Sequence, residues 1–346
     1  MASTQKAVLL TEVGKPLVLV NDLPIPRPGP QQVQLKVSVA GLNPHDQKTR
    51  DMGLFVNDDL PKILASDIVG IVTKLGEGVS SIAVGERIVS QGSQFPGPPQ
   101  NGLQEFAVAD VGASSRIPDS ITDDEAATLP TNIIAPLVAL FDTLQIPAPW
   151  SGKSKNFDYA NTTLLVVGGG SNCGKFGVQL AKLADIGKIV VVGGNEAELK
   201  GFGATHVLDR HGGYDVVLDR IIAVVGDNLV YAFDAIQPPE GQILTLNALS
   251  NHKKGVLARL LPLGPVDESR VQGKKAGFEV RDVFGSSHAK PDVSKRFWEL
   301  VPGYLEAGKI KPIGYVAKQG LTAENVNEIL DAYRDGKAVT KTHIHL

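Results

Sequence analysis

The residues best suited to chemistry are gathered in Val166-Val167-Gly168-Gly169-Gly170-Ser171-Asn172-Cys173-Gly174-Lys175-Phe176-Gly177, where an apolar strand pattern runs through glycines into a helix pattern. Without Cβ atoms the backbone can come close to a pyrophosphate, whose charge is met by the N–H groups at the helix start. Gly177, one turn further on, permits close packing of that helix on a sheet. The spacing is not a strict GxGxxG, so a glycine-rich turn that binds nothing is the competing reading. The next strand pattern, Lys188–Val192, ends in Gly193-Gly194-Asn195, with no acid at its tip to accept from a ribose 2′-hydroxyl. Lys200 and Arg210 follow nearby, so this tip suits a 2′-phosphate and favours NADPH over NADH; Glu196 and Glu198 would oppose that phosphate if they turned inward.

A second polar group, Asn43-Pro44-His45-Asp46-Gln47-Lys48-Thr49-Arg50, follows the alternating strand pattern at 33–39 and reads as a turn. Asp46 and Arg50 are expected to pair and fix it. His45 is either part of a proton relay or an exposed turn histidine. Cys173 is the single cysteine, which removes a disulfide and a four-cysteine zinc site, and without a resolving partner it reads as a small loop residue. His343 and His345 share one strand face with no third metal ligand in view.

The elements that must position these residues fall into two textures. Short apolar runs at 33–39, 68–73 and 87–90, bounded by glycines, suggest a barrel-like β domain, with Phe95-Pro96-Gly97-Pro98-Pro99 as a surface loop. Asp123-Asp124-Glu125-Ala126-Ala127 is a helix start, because carboxylates favour the positive end of the helix dipole. Strands at 164–167, 188–192, 207–209, 230–234, 243–246 and 278–284 then alternate with helical patterns, the signature of a parallel sheet covered on both faces. Helix patterns at 297–307 and 323–334 and an alternating segment at 340–346 complete the chain.

A length of 346 residues fits two domains, and the net charge of -3 gives no reason to expect nucleic acid or an anionic membrane as partner. No segment approaches the ~18 apolar residues of a membrane span, and residues 1–6 lack a signal-peptide core, so a cytoplasmic protein is expected.

Several segments together resemble the medium-chain dehydrogenase/reductase superfamily over essentially the whole chain. They are Gly41 to Arg50, Val84-Gly85-Glu86-Arg87-Ile88, Asp124-Glu125-Ala126-Ala127-Thr128-Leu129-Pro130, the glycine-rich loop, and Leu305-Glu306-Ala307-Gly308-Lys309-Ile310-Lys311-Pro312. The Asn43-Pro44-x-Asp46-x-Lys48-x-Arg50 pattern looks like the zinc-free quinone-oxidoreductase branch with the fungal trans-enoyl reductases. The resemblance implies an α/β protein with a Rossmann-type doubly wound parallel sheet at 132–285. Around it would lie a GroES-like, β-rich catalytic domain drawn from 1–131 and 286–346. In the zinc-dependent branch a cysteine matches Asn43 and Gly-His-Glu matches Ala65-Ser66-Asp67, so the ligand set is broken and no metal is expected.

The resemblance also implies residue roles. Gly170, Ser171, Asn172 and Cys173 map to the cofactor phosphates, Asn195, Lys200 and Arg210 to the adenosine phosphate, and Asn247 and Phe284 to the nicotinamide. Lys48 maps near the nicotinamide ribose, to hold NADPH or to donate to an enolate. Ala135 stands where the family usually carries a threonine. The implied activity is hydride transfer to an enone, enal or enoyl C=C bond or to a quinone, acting on a small molecule. A nucleotide-binding regulator with little turnover and a zinc-free carbonyl reductase are the alternatives. A homodimer or association with a synthase stays open.

Overall fold

A computed structural model describes residues 3–56, 59–97, 99–261 and 263–346; Pro98 of the proline-rich loop and Pro262 lie outside the described residues. The chain divides into two compact units, one of residues 1–131, 297–307 and 312–346, the other of 132–296 and 308–311. Residues 286–296 thus group with the second unit.

The first unit begins with β1 (Thr4–Leu10), β2 (Val18–Pro24) and β3 (Gln32–Leu42), then α1 (Pro44–Met52). It continues through β4 (Lys62–Ile63), β5 (Asp67–Leu75), β6 (Arg87–Gln91), β7 (Phe106–Asp110) and β8 (Ser114–Arg116) to α2 (Asp123–Ala127). The second unit holds most of α3 (Pro130–Val138), then β9 (Thr163–Val167), α4 (Asn172–Leu183), β10 (Lys188–Val192) and α5 (Glu196–Phe202). It goes on with β11 (His206–Leu208), α6 (Tyr214–Val225), β12 (Tyr231–Asp234), α7 (Pro239–Ala248), β13 (Gly255–Arg259) and β14 (Phe278–Asp282). After α8 (Pro291–Glu306), the first unit is completed by β15 (Tyr315–Gln319), α9 (Ala323–Arg334) and β16 (Lys341–His345).

Alternation along β3 puts Val33, Leu35 and Val37 into one apolar core with Ile68, Val72 and Ile88. The seven-stranded sheet runs β15-β16-β3-β5-β6-β8, with β7 also on β3, and a three-stranded sheet β2-β1-β4 lies apart from it. β16 lies between β15 and β3 and so joins the end of the chain to a strand some three hundred residues earlier, Thr342 opposite Leu42.

The second unit is one parallel sheet, order β11-β10-β9-β12-β13-β14. The inner strands β9 and β10 are almost wholly apolar because helices cover both faces, whereas the edge strand β14 carries Glu279, Arg281 and Asp282. This is the doubly wound 3-2-1-4-5-6 order, whose ligand crevice lies where the order reverses, between β9 and β12. One expected strand is corrected. Residues 243–246 lie inside α7, started by Pro239 at its first turn, and the fifth strand is β13. The run Asp123–Thr143 is long and apolar enough to cross a membrane by composition, which the sequence gives no reason to expect, but 89% of its apolar window is buried in the fold.

Candidate functional site

In the second unit, β9 leads into Gly168 at φ 91°, a left-handed conformation that favours glycine. A Cβ on Gly169 would lie 2.2 Å from Val191 Cγ1, and one on Gly174 would lie 2.2 Å from the Gly168 carbonyl oxygen. Neither position tolerates a side chain. Ser171 Oγ accepts from the Gly174 N–H at 3.0 Å and donates to the Gly168 carbonyl at 2.8 Å, which fixes the start of α4. Asn172 and Cys173 form its first turn, where N–H groups have no acceptor within the helix.

Gly168, Gly170 and Ser171 form one wall of a cavity of about 490 Å³. Gly193 and Gly194 form the second wall, Asp209, Arg210 and His211 the third, with Ile236 and Gln237 closing it. It gathers the carboxyl ends of β9, β10, β11 and β12 at the topological switch point. Arg210 Cδ lies 3.3 Å from where a Cβ on Gly193 would be, so its side chain rests against the tip of β10. The acid on this wall, Asp209, is engaged by His211 at 2.7 Å and Arg220 at 3.7 Å. Glu196 pairs with Lys200 at 2.7 Å and Glu198 with Lys175 at 2.8 Å, and neither acid lines the cavity.

Several expected cofactor residues do not line this cavity. Lys200 lines a different hollow, with Lys182, Lys309 and Lys311, because its position on α5 turns it away from the β10 tip. Asn195 is the N-cap of α5, its Oδ1 accepting from the Glu198 N–H at 2.9 Å, and it is not on the cavity wall. Asn247 sits at the end of α7. It donates to Tyr214 Oη at 2.5 Å and to the Arg270 carbonyl at 3.0 Å, and accepts from the Gln272 N–H at 2.8 Å, so it braces a loop. Phe284 follows β14 and is 37% exposed. Its neighbour Gly285 packs so tightly on α3 that a Cβ there would lie 2.7 Å from Ala135 Cβ, leaving little space for the usual threonine.

Asp234 was not among the expected residues. At the end of β12 it accepts from the N–H groups of Ile236 at 3.1 Å and Gln237 at 2.8 Å and from Thr245 Oγ1 at 3.2 Å, shaping the turn that closes the cavity. Burial pushes its carboxyl up despite these bonds. The turn-forming Pro238-Pro239 after an Asp was the available signal.

In the first unit, residues 44–52 are a helix and not a turn. Pro44 is pre-organised for the first helical position, and Asp46 Oδ2 accepts from the Asn43 N–H at 2.8 Å. Asp46 Oδ1 takes the Ala65 N–H at 2.9 Å, so the expected Asp46–Arg50 pair is not formed. Arg50 pairs with Asp51 at 2.6 Å and with Asp331 of α9 at 2.9 Å. His45 is half-buried, its Nε2 3.4 Å from Ser66 Oγ and 3.6 Å from Asp46 Oδ1, and its ring meets Phe55 edge-on. Lys48 is half-buried on the opposite side of α1 from the buried Asp46, Thr49 and Arg50. No ion pair or side-chain hydrogen bond of its ammonium is found among the described residues.

Beneath the start of α1 lies a fully buried polar group. Lys341 Nζ donates to Asp67 Oδ2, to Asn43 Oδ1 at 3.0 Å and to the Leu42 carbonyl at 3.2 Å. Asn43 Nδ2 donates to Asp67 Oδ2 at 2.8 Å, and the Thr131 N–H to Asp67 Oδ1 at 2.7 Å. Burial alone would raise the Asp67 carboxyl. The Lys341 ammonium and the bonds from Lys341, Thr131 and Asn43 hold it below the usual carboxylate range. Asn43 and Asp67 match positions at the metal of the zinc-dependent branch, but here their oxygens face an ammonium, and this set does not fit a divalent cation. His343 and His345 both meet Asp124, at 2.8 and 2.9 Å.

The description "Alcohol dehydrogenase GroES-like domain" belongs to the family model that matches residues 29–118. Dehydrogenase orsE of Emericella nidulans is 29% identical over 362 aligned positions, covering 99% of this chain and 100% of that protein. Trans-enoyl reductase tazE of Aspergillus terreus is 30% identical over 268, covering 75% and 86%. Among solved structures, mycobacterial Rv1454c complexed with NADPH aligns with a TM-score of 0.74 at 21% identity, covering 99% of this chain and 100% of that one.

Proposed function

Because the chain belongs to the medium-chain dehydrogenase/reductase superfamily, in the branch of quinone oxidoreductases and fungal trans-enoyl reductases, we propose that it is an NADPH-dependent, zinc-independent reductase of small molecules. Its substrate is an activated C=C bond, as in an enone, enal or enoyl group, or a quinone. The observation that carries this reading is the side-chain-free cradle at Gly168–Ser171, opening at the sheet's switch point with Arg210 against the tip of β10.

When bound, the nicotinamide supplies hydride. The protein supplies the rest. The backbone at the start of α4 binds the pyrophosphate, as the dipole of that helix favours. Arg210, with His211 beside it, takes the 2′-phosphate, and the glycines of the β10 tip offer no carboxylate to repel it. Lys48 provides the positive charge for the nicotinamide ribose or for the oxygen that turns negative as hydride arrives. Conjugate reduction asks for no more Lewis acidity than such a donor gives, consistent with an Asn43–Asp67–Lys341 group that suits an ammonium better than a metal.

The test is to follow nicotinamide absorbance with NADPH or NADH and a panel of enones, enals, enoyl thioesters, quinones and simple aldehydes. NADPH consumption is expected with an activated alkene or quinone and to survive chelator treatment. Tight NADPH binding without turnover on any member would replace this reading by that of a nucleotide-binding protein. Equal affinity for NADH would overturn the cofactor assignment.

A further inference from the structure

We propose that Lys341 is a positioning residue for Lys48: its buried ammonium fixes the first turn of α1 and so the direction in which that helix presents the Lys48 side chain. This inference rests on the role given to Lys48 above.

The arrangement is costly unless geometry is its purpose. A buried ion pair loses most of its attraction to desolvation, and apolar side chains of similar volume would stabilise the fold about as well. What the pair offers is direction. Lys341 Nζ has three acceptors on three elements: the Leu42 carbonyl at the end of β3, Asn43 Oδ1 at the N-cap of α1, and Asp67 Oδ2 at the start of β5. Asn43 is bound on both sides, its Oδ1 by Lys341 and its Nδ2 by Asp67, so its amide orientation is fixed. Both charged side chains are fully buried. Even the backbone makes room, since a Cβ on Gly41 would lie 2.9 Å from Lys341 Nζ.

From Asn43 the constraint passes directly into the helix. The Asn43 N–H is held by Asp46, whose other oxygen holds Ala65, and Lys48 lies two residues beyond Asp46. The far end of α1 is held separately, by Arg50 on Asp331 of α9. A nine-residue helix is thus gripped at both ends by side chains from residues beyond 330, with Lys48 on the face left free.

The experiment is a double-mutant cycle on NADPH-dependent reduction, with Lys341→Met, Lys48→Ala and the double variant, plus Lys341→Arg as the conservative rescue. Lys341→Met is expected to lower kcat/KM about tenfold or more, as misplacement of a reacting group by ~1 Å does, with the loss divided between kcat and the KM for NADPH as it is in Lys48→Ala. The double variant is expected to be no slower than Lys48→Ala, because Lys341 acts through Lys48. Lys341→Arg should recover part of the loss, since it keeps the charge with a different fork. An unchanged kcat/KM in a folded Lys341→Met protein, or losses that add in the double variant, would overturn the proposal. If Lys341→Met does not fold, Asn43→Ala, which leaves the ion pair in place, enters the same cycle with the same expected non-additivity. If Lys48→Ala alone is silent, the role of Lys48 itself falls, and the inference with it; a silent Lys341→Met beside a slow Lys48→Ala sinks the inference only.

Discussion

The nucleotide unit and the surroundings of α1 handle charge in opposite ways. Around Gly168–Ser171 the absence of side chains leaves backbone itself as the wall of a cavity, next to the first turn of α4. Beneath the start of α1 the charged groups are the side chains of Lys341 and Asp67, bonded to each other and to Asn43 and shut away from water. An open cradle keeps its interactions for a ligand, so damage to it should appear as lost affinity. A closed clamp spends its interactions on the protein itself, so damage to it should appear as lost stability and misplaced chemistry.

Substitutions can break this contrast. The largest effect is expected for Lys341→Met, which leaves the Asp67 carboxylate buried without its partner and should cost about 3–5 kcal/mol in denaturant unfolding. NADPH affinity of the folded fraction should fall no further than in Lys48→Ala, and a larger loss of affinity would erase the distinction. Gly174→Val should do the reverse. Its side chain meets the Gly168 carbonyl, and overpacking of about 1–3 kcal/mol concentrated in the loop should weaken NADPH roughly tenfold to a hundredfold in a fluorescence titration.

Arg210→Ala should raise the Kd for NADPH by about tenfold, the worth of one charge-assisted hydrogen bond, and leave that for NADH unchanged. Equal losses for both cofactors would move the 2′-phosphate away from Arg210.

A pH experiment sharpens the clamp side. Burial and the Lys341 ammonium push His343 down to about 4 from an ordinary 6.5, against the pull of Asp124. The unfolded chain therefore takes up a proton that the folded one resists. Stability should fall as pH drops from about 6.5 towards 4, by at most ~1.4 kcal/mol per pH unit. Thermal melting across that window should show the slope, and His343→Gln should flatten it. The smallest effect belongs to Lys200→Ala, which removes only a surface pair with Glu196 and should leave NADPH affinity as it was.

The same contrast explains what could be read from sequence. The cradle is local: strand, glycines and helix start lie within a dozen residues, and sterics alone connect them, so the course of the loop, the acid-free β10 tip and the nearness of Arg210 to it were legible. Lys200 was not separable from Arg210, because sequence proximity does not say to which side of α5 a lysine turns. The apolar run at 243–246 looked like a strand because a buried helix and a buried strand share short apolar runs; Pro238-Pro239 upstream marked the helix. Residues 44–50 looked like a turn because Asn, Pro and Asp serve turns and helix starts alike. The clamp was invisible for a different reason. Asn43, Asp67 and Lys341 meet only through strand pairing across the whole chain, and no local pattern marks a lysine as buried.

That pairing has a consequence for the order in which the protein is made. Domains usually fold as they leave the ribosome, earlier ones first. Here β3 emerges early, yet its partner β16 and the lysine that completes the floor of α1 follow only after the entire nucleotide unit has been synthesised. The cradle can therefore take shape while the first unit still waits with one edge of its sheet unfilled beside β3 and an unneutralised Asp67. The nascent chain gains its nucleotide site first and its ordered α1 last.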